Sequence, residues 1–126
     1  MSNRKTLEQK RAANAWDCVS EVDPGKGKEY GSLARGLSAM IQTNGLGQTL
    51  AFLLAKAEGQ NDKPQMTIYR HLAGWLSQRM DVPQGQDFMA WLVHQNSDGY
   101  RRATVEALAH SLWLRRFAEA KGWGQE

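Results

Sequence analysis

Histidines, a lone cysteine and paired acids are the residues here that could do chemistry. His71, His94 and His110 fall in three separate segments, and none has a second His, Cys or carboxylate at the spacing a metal ion needs. Ordinary surface or half-buried histidines are expected, with no metal and no cofactor. Asp17 and Glu21 stand four apart on one helix face. Such a pair can move protons or hold magnesium, but a solvated face places it equally well. Cys18 is the only cysteine, which excludes an internal disulfide. It sits beside Trp16 and Val19 in a helical pattern, so a buried, inert thiol is expected. No nucleophile elbow, Walker loop or zinc signature occurs, and no enzyme activity or small-molecule substrate is expected.

Two features are less easily set aside. In Asn44-Gly45-Leu46-Gly47-Gln48, two glycines open a helix and could offer backbone N–H groups to a phosphate. The same glycines could serve a tight turn and close packing. The pattern lacks the lysine and preceding strand of a P-loop, which favours packing. The second feature is the distribution of cations. Arg101, Arg102, Arg115 and Arg116 fall within an arc of about 140° on one helix, with Val105, Leu108 and Leu112 in the same arc. This helix is either well buried with arginines reaching to water, or an interface helix whose arginine ends meet phosphates. Arg35 lies off the apolar stripe of its helix, and Arg4 and Arg11 share a face with Glu8 between them. Arg70 neighbours Tyr69, and Lys56 closes a helix where a cation suits the dipole. Together these cations could form a track for backbone phosphates.

The elements that must position these residues are helices. Pro24, Pro64 and Pro83 each lie in a polar, turn-rich segment and divide the chain into helical blocks. No alternating stretch is long enough for a strand. The periodicity predicts helices over about Lys5 to Val22, Lys28 to Gln42, Leu46 to Glu58, Met66 to Met80, a short one carrying Phe88, Trp91 and Leu92, and about Gly99 to Lys121. Asn96-Ser97-Asp98 supplies caps for the last helix. The third block is apolar around most of its girth, which predicts a central position.

With 126 residues, of which 41% are hydrophobic, the chain suits one domain, residues 1–126, folded as an all-α single compact bundle of about six helices. No apolar run is long enough to span a membrane, and the polar N-terminus carries no signal core, so a cytoplasmic protein without membrane association is expected. The net charge of +3 is a mild cationic excess and only leans toward a polyanionic partner.

Tyr30-Gly31-Ser32-Leu33-Ala34-Arg35-Gly36-Leu37, followed by Met40 through Leu53 (Met-Ile-Gln-Thr-Asn-Gly-Leu-Gly-Gln-Thr-Leu-Ala-Phe-Leu), resembles the signature of the Cmr small-subunit family of type III-B CRISPR effector complexes. The basic first helix, with Arg11 then Ala15, is similar too. Ser38 stands where family members often have proline. The resemblance implies an all-helical, non-catalytic subunit for antiviral defence. Several copies would line up with one another and with other Cmr effector subunits and hold crRNA–target RNA. Contacts would go to phosphate and sugar while base pairing reads the sequence. That role requires cations indifferent to sequence, and Arg11, Arg35, Lys56, Arg70, Arg101, Arg102, Arg115 and Arg116 are the candidates. It does not require stacking platforms, although Tyr69 and Trp123 could stack on bases.

Two alternatives remain beside it. One is a pure scaffold that docks by the apolar face of the last helix. The other is a helical DNA-binding regulator with a helix-turn-helix at Thr43 to Gly45, whose following helix is too apolar to lie in a groove.

Overall fold

The computed structural model describes residues 4–124, and no strand occurs among them. Six helices follow one another: α1 (Leu7–Ser20), α2 (Gly27–Asn44), α3 (Leu46–Ala57), α4 (Pro64–Arg79), α5 (Phe88–Val93) and α6 (Ser97–Ala120), with a 3-10 turn at Pro24–Lys26. The all-α bundle is as expected, with helix ends within about two residues of the predicted ones.

Local chemistry sets the ends. Thr6 accepts from the Gln9 N–H while the Gln9 side chain accepts from the Thr6 N–H, a reciprocal capping box at the start of α1. Asp87 and Asn96 cap α5 and α6. Pro64 opens α4 rather than lying in the loop before it, because the first helical position needs no N–H. Gly45, at φ +89°, turns the chain between α2 and α3 in a conformation few other residues tolerate.

The buried stripe of α2 (Tyr30, Ala34, Leu37, Ile41) faces α4 and α6, and α1 packs along α6 beside it, at Glu106, His110 and Phe117. The expectation of a central α3 is corrected. Leu46, Leu50, Leu53 and Ala57 are buried, but Ala51, Phe52 and Ala55 face water. Alanine offers little apolar area, so a row containing two of them need not be covered. At Gly31 a Cβ would collide with the backbone of Trp123 and Gly124, and at Gly27 with the Trp123 indole. Trp123 and Gly124 therefore lie directly on α2, and glycine is what permits it.

Polar groups tie the helices together internally. Glu106 of α6 is buried and accepts from Arg11 Nε at 2.7 Å, Arg11 Nη2 at 2.9 Å and Trp75 Nε1 at 2.9 Å, with Arg79 Nε at 3.7 Å. Burial pushes this carboxyl up, but the Arg11 and Trp75 hydrogen bonds and the Arg79 charge outweigh it and hold it below the usual range. It stays ionised, and α1, α4 and α6 meet on it.

Two histidines extend this polar interior. His71 accepts from the Tyr30 hydroxyl at Nδ1 (2.8 Å) and donates from Nε2 to Glu21 (2.7 Å). His110 is fully buried, stacks on Trp75 and donates from Nε2 to Asn14 Oδ1 at 2.9 Å. Its Nδ1 has no hydrogen-bond partner among the described residues. Burial first, then the neighbouring His71, push its imidazole down to about 3.

Removing the central carboxylate strands Arg11. Glu106→Ala is expected to lose about 3 kcal/mol of unfolding free energy in urea titration. The same change in an Arg11→Met background is expected to cost clearly less, and equal losses in both would disprove the coupling. For His110, the unfolded chain takes up a proton near pH 6.5 that the folded chain refuses until about pH 3. Stability therefore falls as pH drops through that window, by about 1.4 kcal/mol per unit for this group. His110→Leu should remove about one proton from the slope of stability against pH between roughly 4.5 and 6. An unaltered slope would show that His110 is not the titrating group.

Candidate nucleic-acid interface

The outward face of α2 carries a row of a particular kind. Lys28, Ser32, Arg35, Ala39 and Gln42 are all exposed and recur at steps of four and three, so they line up along the helix. The row is about 21 Å long and contains two cations, a hydroxyl, an amide and one small methyl group. Thr43 adds a second exposed hydroxyl beside Gln42. The single carboxylate of α2, Glu29, stands off the row by about a quarter turn, in the first turn of the helix. Gly36 lies beside the row with open space over its Cα. No packing reason accounts for a glycine in mid-helix there, and its bare backbone lets another chain approach closely. Only Arg35 of this row is among the sequence candidates. The others could have been found, since the same spacing that marks the apolar stripe marks them on the opposite side.

The remaining candidates divide by what they already touch. Arg101 and Arg102 are exposed and, like Arg35, meet no carboxylate among the described residues. Lys56 is exposed and sits 5.6 Å from the Phe52 ring. Arg70 donates to the Asn61 carbonyl at 3.3 Å and is otherwise open. Arg115 and Arg116 share one carboxylate, Glu119, at 3.3 and 3.1 Å, which leaves the pair with a net positive charge. Hydrogen bonds from Arg116 and then Arg115 hold Glu119 below the usual carboxylate range. Arg11 commits its guanidinium to Glu106 on one side and Glu8 on the other.

On α6 the inward row is Ala103, Ala107, Leu114 and Ala118, joined by buried Glu106, His110 and Ser111, which an apolar pattern does not reveal. The arc between the arginine pairs is largely open, with Leu108 half-buried against the core. Val105 is 58% exposed and Leu112 is 49% exposed. Of the two readings of this helix, burial of that arc in its own core is not what the fold provides.

Other candidate chemistry resolves into structure. His71 and His110 are buried rather than half-buried, and only His94 is at the surface, bonded to the Ala90 carbonyl. Glu21 holds His71, so it does not pair with Asp17. Cys18 is half-buried and shares Asn14 Oδ1 with His110, and burial first pushes its thiol up to about 12, consistent with an inert group. The Gly47 N–H is taken by the Tyr100 hydroxyl at 2.8 Å, and a Cβ there would lie 3.1 Å from that oxygen, which supports packing over phosphate binding. The stacking roles are corrected: Tyr69 is buried, and Trp123 lies edge-on to Tyr30 against Gly27. Among the described residues no three His, Cys, Asp or Glu gather as a metal site. A cavity of about 210 Å³ between the end of α1 and α4 mixes Glu21, Asp23 and Asp62 with Lys26 and Arg70, and Lys26 is already paired with Asp62.

The family model for "CRISPR-associated protein (Cas_Cmr5)" matches residues 7–121. The Thermus thermophilus protein named CRISPR system Cmr subunit Cmr5 is 30% identical over 122 residues, covering 92% of this chain and 96% of that one. Its counterpart of the same name from Thermotoga maritima is 30% identical over 125 residues, covering 97% and 89%. The crystal structure of a CRISPR-associated Cmr5 family protein from Thermus thermophilus superposes with a TM-score of 0.74 at 28% identity, over 92% of this chain and 97% of that chain. The chain belongs to the Cas_Cmr5 family of CRISPR-associated proteins, the Cmr small-subunit family of type III-B CRISPR complexes.

Proposed function

We propose that this chain is a non-catalytic subunit of a Cmr-type, RNA-guided effector complex acting in the cytoplasm in antiviral defence. It lies along the complex beside other subunits and copies of itself. It holds the crRNA–target RNA by its backbone, through contacts indifferent to sequence. Membership of the family and the subunit names of the Thermus and Thermotoga relatives support the assembly part of this reading.

The row on α2 carries the RNA part. Phosphate and sugar oxygens are met by Lys and Arg together with short hydroxyl and amide side chains, and Lys28, Ser32, Arg35 and Gln42 supply both kinds. Ala39, between Arg35 and Gln42, is too small to hold a backbone away. No carboxylate interrupts the row. Lys56 on α3 and Arg70 on α4 are further exposed cations that could meet the backbone elsewhere along its path. Arg11, engaged by Glu106, supports the fold instead. A purely scaffolding role is the second reading, and the exposed aliphatic stripe of α6 is the observation that favours it.

Salt dependence separates the two. Binding of a 20-nucleotide RNA, followed by fluorescence anisotropy between about 50 and 300 mM salt, should weaken steeply. Lys28→Ala with Arg35→Ala is expected to lower affinity and flatten the log–log slope by about 1.4, since each phosphate contact on a single strand contributes about 0.7. Arg11→Ala is expected to lower the melting temperature and leave the slope in place. A double variant that binds with the wild-type slope would sink the RNA role of α2 and leave the scaffold.

A further inference from the structure

Resting on the reading that this chain is an assembly subunit, we infer that the outer stripe of α6 docks an acidic amphipathic helix of a different protein rather than RNA. Val105, Leu108, Ala109 and Leu112 occupy the middle of the stripe, at the spacing by which one helix presents apolar anchors to another. Beside them is a groove of about 270 Å³ between Ala109, Leu112, Trp113 and Arg116, with Glu8 at its rim. The Glu8 carboxylate is held there by Arg11 at 3.2 Å and Trp113 Nε1 at 3.0 Å, so the wall beside the aliphatics is fixed. The groove suits one protruding apolar side chain.

Charge decides the kind of partner. Arg101 and Arg102 stand at one end of the stripe, paired with no carboxylate among the described residues, with exposed Asp98 one turn before them. Arg115 and Arg116 stand at the other end with a single carboxylate between them. The two ends are about 22 Å apart, roughly four helical turns. A phosphodiester chain spanning that distance would lay anionic groups across Val105 and Leu112 and desolvate them against aliphatic carbon, which costs free energy without return. A helix with two or three apolar residues on one face and Asp or Glu near both ends satisfies every group in the stripe. Its carboxylates meet the guanidiniums, and its aliphatics cover what α6 leaves in water. The α2 row, with no exposed large aliphatic residue, has the opposite character. The two surfaces therefore take different ligands.

Photocrosslinking in the assembled complex tests this directly. Val105→p-benzoylphenylalanine and Leu112→p-benzoylphenylalanine are each introduced into the full chain, the effector complex is purified through another subunit, and crosslinked peptides are sequenced. Capture of a helix from a different protein with Asp or Glu within a turn of the site is the expected result. Crosslinks to a second copy of this chain, to RNA or to nothing would each overturn the inference while the chain still co-purifies. Failure to co-purify at all, by the wild-type chain as well, would remove the underlying assembly reading instead. As a second measurement, Leu112→Asp is expected to weaken incorporation into the complex at least tenfold, with an unchanged melting temperature and an unchanged RNA salt slope. Unimpaired incorporation of Leu112→Asp, or a salt slope altered by it, would count against a protein ligand.

Discussion

A single buried carboxylate organises this bundle. Glu106 receives two hydrogen bonds from Arg11 and one from the Trp75 indole, with Arg79 close by, and so joins three helices that are far apart in the chain. An ionised carboxylate in a core without partners would be strongly destabilising, and here each oxygen is engaged by charged or polar donors. That requirement dictates geometry. α1 must bring Arg11 to α6, and α4 must bring Trp75 and Arg79 to the same point. Once α1 and α4 are fixed on the inward side of α6, Val105 and Leu112 on the opposite arc are left in water and only Leu108 tucks partly against the core. The open aliphatic stripe follows from where the charge had to be satisfied.

The same interaction explains why the cations of this protein are not equivalent. Formal charge counts Arg11 and Arg35 alike, but their surroundings do not. Arg11 is bound by Glu106 and Glu8, and its field is largely cancelled at short range. Arg35 projects from a row that contains no acid. In a chain of net charge +3, internal pairing of this kind concentrates the uncompensated cations on particular faces. A modest overall charge is then compatible with a locally polyanion-friendly surface.

Much of the fold was legible from spacing alone. Apolar residues at three and four marked all six helices, and prolines, glycines and caps marked most of their ends. The position of α3 was not legible, because a helix rich in alanine looks apolar all round whether or not its second face is covered. The Glu106 knot was invisible for a different reason. Arg11 and Glu106 are ninety-five residues apart, and a carboxylate among alanines on a long helix reads as a solvent-facing residue. Tyr69 and Trp123 were misplaced because aromatic type says nothing of exposure. The α2 row was readable, since its spacing mirrors that of the buried stripe. The open arc of α6 needed the fold, because only the placement of α1 and α4 shows which arc stays uncovered.

Arginine occurs on both exposed faces, so residue type cannot separate their roles, and what lies between the cations must. On α2 the groups in line with the cations are a hydroxyl between them and, beyond Arg35, bare glycine backbone, one alanine methyl and an amide. The polar ones exchange water for phosphate or sugar oxygen at small loss, and a lone methyl adds little apolar area. On α6 the intervening groups are valine and leucine, which gain only when apolar surface covers them, at about 25 cal/mol per Å². Half-exposed, each forgoes roughly 1 kcal/mol that a partner helix would recover, whereas a nucleic-acid backbone would recover none of it. The proposed double role, holding a polyanion and docking on protein neighbours, would thereby be served by two helices that differ less in charge than in what accompanies the charges.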